Sequence, residues 1–495
     1  MKKFFLGSVL ILSLWPTAFF GQSSSTATAP PVYKIPFVSK TLENGLEVIV
    51  YPDTAVPLVT IELAVRNGSF TEPPELNGLS HLYEHMFFKP NKAVGIYRCN
   101  LARKNGRMDY FAGANCSEQL KLSAQIGDLS YIDDLDNAGS MQNATTREEV
   151  VNYFFTVLKP HVATAIKSMS DSVRFPNFDE EEFVSEKKVV IGEVDRNESN
   201  PFFYLNNTLN EKMYFKYPTR KMPLGTRESI EAATTAKMRI IQERYYVPNN
   251  SAIVVTGDVD PAEIFKLVEK DFGDWKRRPV DPFKEFPLVE HPPIAKSEGF
   301  IVEQPVQNVL ISIGWHGPSI GKDNAATYAA DVFSYILSQP DSRFQRNLVD
   351  SGLTVGANIG YYTQRNVGPI SILLVTTPDK AKAALKAAYA EVVKFDDPAY
   401  FSDAELKNAR TILESRDLFE REKLTEYAHI LSFWWSSTGI DYFRGYHQAM
   451  RSVTRADTNR YVQTYIQGKS HIAVAMLSPA SKSESGITTD DLIDK

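Results

Sequence analysis

The segment His81-Leu82-Tyr83-Glu84-His85 carries residue types and a spacing that could do metal chemistry. On a helix the two histidines, four apart, share a face, and Glu84, three from His81, joins them. Two imidazoles so placed can hold one Zn²⁺ through ring nitrogens at about 2.0–2.1 Å. A neighbouring carboxylate that does not ligate can take a proton from water, whose pKa a bound metal lowers to about 7. The plain alternative is a solvated histidine pair. A catalytic zinc usually keeps three protein ligands and one open position, so a third donor is needed. It lies in the stretch from Glu180 to Glu193, where Glu186 and Glu193 are two helical turns apart on one face. Spacing alone does not choose between them, and the Glu180-Glu181-Glu182 run reads as a solvated helix face.

These residues need elements to position them. Thr41 to Val50 carries Asn44-Gly45 between alternating apolar positions, which predicts a hairpin. Val59, Ile61, Leu63 and Val65 alternate as a strand that ends at Asn67-Gly68-Ser69. The chain then shows a faint internal repeat. Phe178 to Phe183 resembles Phe401 to Leu406, and each opens a long helical pattern. Ala232 to Tyr246 parallels Ser452 to Tyr465, and each precedes a short apolar strand, at 252–255 and 472–476. This order predicts an α+β fold of two homologous domains, each a mainly antiparallel sheet packed with helices. The expected boundaries are 33–278 for a metal-binding domain, 279–298 for a Pro-rich linker, and 299–482 for a repeat domain without a metal site.

Composition narrows the class. With 495 residues, 43% apolar and 23% charged, the chain suits a multidomain globular protein, and a net charge of −6 gives no support for nucleic-acid binding. Met1-Lys2-Lys3, the apolar run Phe4 to Phe20 and a small polar stretch follow the plan of a secretory signal, so residues 1–29 are expected to be signal and spacer. The alternative, an uncleaved anchor, is disfavoured by the shortness of the run and by Pro16. Two cysteines, Cys99 and Cys116, could close one local disulfide in an oxidising compartment or stay as free thiols.

The sequence resembles the pitrilysin/insulinase clan of zinc peptidases (inverzincins), above all bacterial two-domain members similar to the mitochondrial processing peptidase. The likeness rests on Leu42-Glu43-Asn44-Gly45-Leu46, on Gly78 to Lys89 with the His-x-x-Glu-His order, and on Asn143-Ala144-Thr145. It continues through Glu186 and Glu193, Tyr246-Val247-Pro248-Asn249-Asn250, and Gly257-Asp258-Val259. It implies His81, His85 and Glu193 as zinc ligands, Glu84 as general base, Glu186 in support beside the site, and Asn143 near the substrate-binding strand. It also implies peptides bound as an added strand inside a clamshell, of which this chain would form half.

Two departures stand out. The interval between His85 and Glu193 is longer than the family pattern, and the surplus, between about Val94 and Ser130, holds both cysteines. It could meet a partner or be a surface loop. In the second domain, family members carry Arg and Tyr in a pattern like Leu-Arg-Glu-x-Gly-Leu-x-Tyr. Here Leu348 to Val355 has Val349 and Val355 at those places, and Arg416 falls opposite Glu193. The expectation is an exported zinc endopeptidase, most simply periplasmic, cleaving unfolded peptides or small proteins. It would pair with a related chain that lacks the zinc motif and supplies the Arg/Tyr pair. The competing reading is an inactive clamshell that holds peptides.

Overall fold

The computed structural model describes residues 35–126, 132–288 and 290–493. The expected export signal and the Ala29-Pro30-Pro31 spacer lie outside the described residues. Strands β1 (Val38–Thr41) and β2 (Glu47–Pro52) form the expected hairpin, with Gly45 at φ 90° in the turn. They join β3 (Leu58–Val65), β4 (Met141–Thr146), β5 (Val151–Leu158) and β6 (Ser251–Gly257) in one sheet of order β1-β2-β6-β3-β5-β4. A second sheet takes β7 (Glu298–Glu303), β8 (Val309–His316), β9 (Gly356–Tyr361), β10 (Pro369–Thr376) and β11 (Ile472–Leu477) in the order β7-β11-β8-β10-β9.

The fold is α+β, and the two halves repeat each other strand for strand. Apart from β1 the orders coincide: β2 and β6 run parallel, as do β7 and β11, and the remaining pairs are antiparallel. The registers coincide too. The row Glu47, Ala252, Ala64, Asn152, Thr145 matches Glu298, Ile472, Gly314, Ser371, Gly360. The next row therefore sets Val65, Val151 and Thr146 against Trp315, Ile370 and Tyr361.

Each sheet has two covered faces, and the covers are exchanged. One face of the first sheet packs on its own half: Val48, Ile61, Leu63 and Phe155 join Ile166 and Met169 of the helix Val162–Arg174 and Val268 of the helix Pro261–Phe272. The opposite face, with Ile49, Ala64 and Val254, is covered by a helix of the second half, Leu424–Thr438, through Tyr427, Leu431 and Trp435. In return the first half's helix Pro201–Met213 lays Leu205, Leu209 and Met213 on Leu310, Val474 and Met476 of the second sheet. Both helices use i, i+4, i+8 spacing, a single stripe along a helix. The exchange also explains two polar residues buried in the central strand. Thr60 meets Thr425 at 3.1 Å, and Glu62 accepts from Asn152 Nδ2 at 2.8 Å and faces His429 Nδ1 at 2.5 Å. Left without those partners, a buried hydroxyl and carboxylate would be costly.

Packing of the second half runs past the expected boundary at 482, because Ile487 and Leu492 are buried in its core. The surplus segment is helical where it is described, with helices Lys92–Lys104 and Met108–Gly113, and a disulfide joins Cys99 to Cys116. Among the described residues no helix is long and apolar enough to cross a membrane.

Candidate metal centre

The motif segment is the helix Leu79–Phe87. Its apolar stripe, Leu79, Leu82, Tyr83 and Met86, is buried against the first sheet, and this turns His81, Glu84 and His85 the other way. Aromatic packing fixes the rotation: Tyr83 stacks on Tyr246 at 4.0 Å and Phe87 on Tyr153 at 3.8 Å, contacts worth about 0.5–1.5 kcal/mol each beyond area burial. The helix begins at Gly78, where φ is 83° and a Cβ would stand only 2.8 Å from Gly225 Cα, so no side chain fits there. Buried Glu72 accepts from the backbone N–H of Gly78 at 2.8 Å and of Ser80 at 2.6 Å. Burial pushes its carboxyl up to about 7, against the pull of these hydrogen bonds. Glu72 was not singled out from the sequence, and no spacing rule would have found it.

The helix Glu180–Glu198 starts on an Asp179 cap and crosses the motif helix. Glu193 Oε2 stands 3.4 Å from His81 Nε2 and 3.8 Å from His85 Nε2. The donor atoms of His81, His85 and Glu193 lie within 4.8 Å of one another, and among the described residues this is the single such group. Tetrahedral ligands at about 2.0–2.1 Å would stand about 3.3 Å apart, so the set is close to closing on a metal. Burial, with His85 nearby, pushes the His81 imidazole down to about 3 and keeps it neutral, the form that ligates.

Glu186 does something else. Its Oε2 accepts from His85 Nδ1 at 2.9 Å, while its Oε1 pairs with Lys89 Nζ at 2.6 Å. Burial works to raise its carboxyl, but Lys89 and His85 outweigh that and hold it below the usual range. The Glu186 contact orients the His85 ring with Nε2 toward Glu193. By contrast His81 Nδ1 has no hydrogen-bond partner among the described residues.

Glu84 lies beside the histidines and accepts a hydrogen bond from Thr146 Oγ1. Burial raises its carboxyl, with the Thr146 bond opposing. Thr146 closes the edge strand β4 and was missed, although it follows directly on the motif Asn143-Ala144-Thr145. Asn143 is on the same strand, but its partner Phe154 belongs to the face opposite Glu84, and its Oδ1 accepts from Ala144 N at 2.9 Å. Val349 sits in a single π-turn, and Val355 is exposed with its N–H donated to Val375 O at 2.7 Å.

By the matched sheet registers, the second half's counterpart of Thr146 is Tyr361. Aligning the buried stripes, Leu82, Tyr83 and Met86 with Val332, Phe333 and Ile336 of the helix Asn324–Ser338, sets Asp331, Ser334 and Tyr335 in the places of His81, Glu84 and His85. Arg416, expected opposite Glu193, donates to Tyr335 Oη at 2.5 Å, as Glu193 reaches toward His85.

Residues 48–96 and 120–227 match the family described as Insulinase (Peptidase family M16), and residues 232–413 match the Peptidase M16 inactive domain. The gap at 97–119 falls in the surplus segment with the disulfide. Among relatives, the chain is 25% identical over 334 residues to an uncharacterized zinc protease of Bacillus subtilis, YmxG, covering 67% of this chain and 72% of that one. It is 24% identical over 355 residues to the zinc protease PqqE of Helicobacter pylori, covering 71% of each. The crystal structure of a protease from Helicobacter pylori superposes with a TM-score of 0.73 at 20% identity, covering 89% of this chain and 99% of that one.

Proposed function

This chain belongs to the M16 (insulinase) family of peptidases, and from that premise we propose that it is a zinc-dependent endopeptidase acting on unfolded peptides or small proteins. The observation that carries the reading is the convergence of His81, His85 and Glu193 with a non-ligating Glu84 that Thr146 holds beside them. His81, His85 and Glu193 would hold the metal, and Glu186 would orient His85. Bound Zn²⁺ would supply Lewis acidity toward the scissile carbonyl and an attacking water. Glu84 would take the proton from that water and pass it to the leaving amine, a task suited to a carboxyl raised by burial. The edge strand β4, which ends on Thr146, would receive the substrate as an added strand, with Asn143 beside it.

The finer parts of the proposal rest on separate observations. The N-terminal signal pattern and the Cys99–Cys116 disulfide support export to an oxidising compartment such as a periplasm. Val349 and Val355, where an Arg and a Tyr would complete the site, support pairing with a related chain that supplies them. The same two valines favour the second reading, a clamshell that holds peptides without cutting them. The deciding experiment is cleavage of a mixed peptide library by the mature chain, alone and with a related chain lacking the His-x-x-Glu-His motif, with zinc content measured. Cleavage that Glu84→Gln abolishes supports the peptidase; bound zinc without cleavage in either arrangement supports the holding protein.

A further inference from the structure

The counterpart of the metal centre in the second half has lost its histidines but not its space. A cavity of about 520 Å³ is lined there by Asp331, Tyr335, Tyr361 and Arg416, the residues that stand in for His81, His85, Thr146 and Glu193. Across it lie Thr145 and Arg147 at the end of β4, with Phe433 and Trp434 of the exchanged helix. Thr145 faces the cavity side of the first sheet because it pairs with Asn152, which points at Glu62 and His429 on that face. A peptide laid along β4 turns alternate side chains to the two faces of the sheet. One set would face Glu84, and the other would reach this cavity.

The charges decide what it would take. Arg416 is engaged by Tyr335 Oη and by Glu420 at 3.4 Å, Asp417 by Arg421 at 2.6 Å, and His429 by Glu62. Arg147 and Glu426, both on the lining, oppose each other in sign. Arg147 and Glu426 form no ion pair among the described residues and offset each other only in the sum of charges. The charge left uncompensated on the lining is that of Asp331, which accepts from Tyr446 Oη at 2.7 Å. Burial pushes its carboxyl up to about 7 against the pull of the Tyr446 hydrogen bond, as expected where no cation stands near enough to hold it ionised. Around it the walls are aromatic, and a guanidinium or ammonium is attracted to such faces.

We propose that the vestigial site of the second half is a side-chain pocket for a basic residue, Arg or Lys, of a peptide bound along β4, with the cation on Asp331 and its stem between the aromatic walls. The substrate class rests on the peptidase reading, but the pocket can be tested without catalysis. The full chain carrying Glu84→Gln is titrated, by fluorescence anisotropy, against an N-acetylated random decapeptide pool with one central Arg and against the same pool with citrulline, which keeps the shape and loses the charge. The Arg pool is expected to bind about tenfold tighter or more. Asp331→Asn should bring the ratio of the two affinities to about one, and Trp434→Leu, which keeps the carboxylate, should weaken the preference. Equal binding of the two pools, no binding of either, or a preference that survives Asp331→Asn overturns the proposal. Loss of cleavage in the parent chain, by contrast, would sink the peptidase reading and leave this comparison standing.

Discussion

The two halves are built on one plan and hold opposite chemistry at the same place. In the first, two imidazoles and a carboxylate face one another across a helix crossing. In the second, the same positions carry a carboxylate, a phenol and a guanidinium. Apart from β1 their sheets agree in order, direction and register, so the shared strands do not distinguish them. A duplicated scaffold repeats positions, and side-chain type alone decides which copy can hold a metal.

The sharpest way to break the comparison is Glu84→Gln, a near-isosteric change that removes the proton acceptor. Cleavage is expected to fall by about 10²–10⁴-fold, with the zinc content of the parent retained in elemental analysis. Undiminished cleavage would remove Glu84 from the chemistry and with it the functional difference between the halves.

The exchanged helices come next. Trp435→Ala empties a fully buried site between the helix Leu424–Thr438 and the first sheet, and should cost about 3–5 kcal/mol in denaturant unfolding. Met213→Ala, its counterpart against the second sheet, should cost about 2–5 kcal/mol. Because each helix ties one half to the other, both variants should still unfold in one transition. Two separated transitions in either variant would mean that the halves are independent after all.

Smaller effects sharpen the site itself. Glu186→Gln keeps a hydrogen-bond acceptor for His85 but removes the charge, and zinc affinity measured by chelator competition should drop about 10–100-fold. A complete loss of zinc would make Glu186 a ligand rather than an orienting residue. Smallest of all, Arg416→Glu should leave zinc stoichiometry at the parent value, because Asp331 and Tyr335 offer no imidazole beside the new carboxylate. A second equivalent of zinc would show that the vestigial site is only one residue from function.

Much of the plan was legible before any coordinates. The hairpin at Asn44-Gly45, the strand at Val59 to Val65 and the three paired elements of the repeat all appear where the patterns put them. What the patterns did not show was the exchange. The stripe Leu205, Leu209, Met213 reads as an amphipathic helix whichever sheet it covers, since a hydrophobic face carries no address. The expected linker around 279–298 divides the chain into two domains, and nothing in it shows that each half lends a helix to the other.

The sequence by itself determined the motif face, because helical periodicity is local and sets His81, Glu84 and His85 together without help from the rest of the chain. It also determined that Arg416 cannot serve as Glu193 does, since that is a matter of residue type. The tertiary structure decided the rest. Glu186 and Glu193 share a helix face, and only the angle at which that helix crosses the motif helix sends one to the back of His85 and the other between the two rings. Thr146 meets Glu84 across 62 residues, and Arg416 meets Tyr335 across 81. Such pairings are set by how stripes pack between elements, and no periodicity along the chain encodes the distance between two faces that fold together.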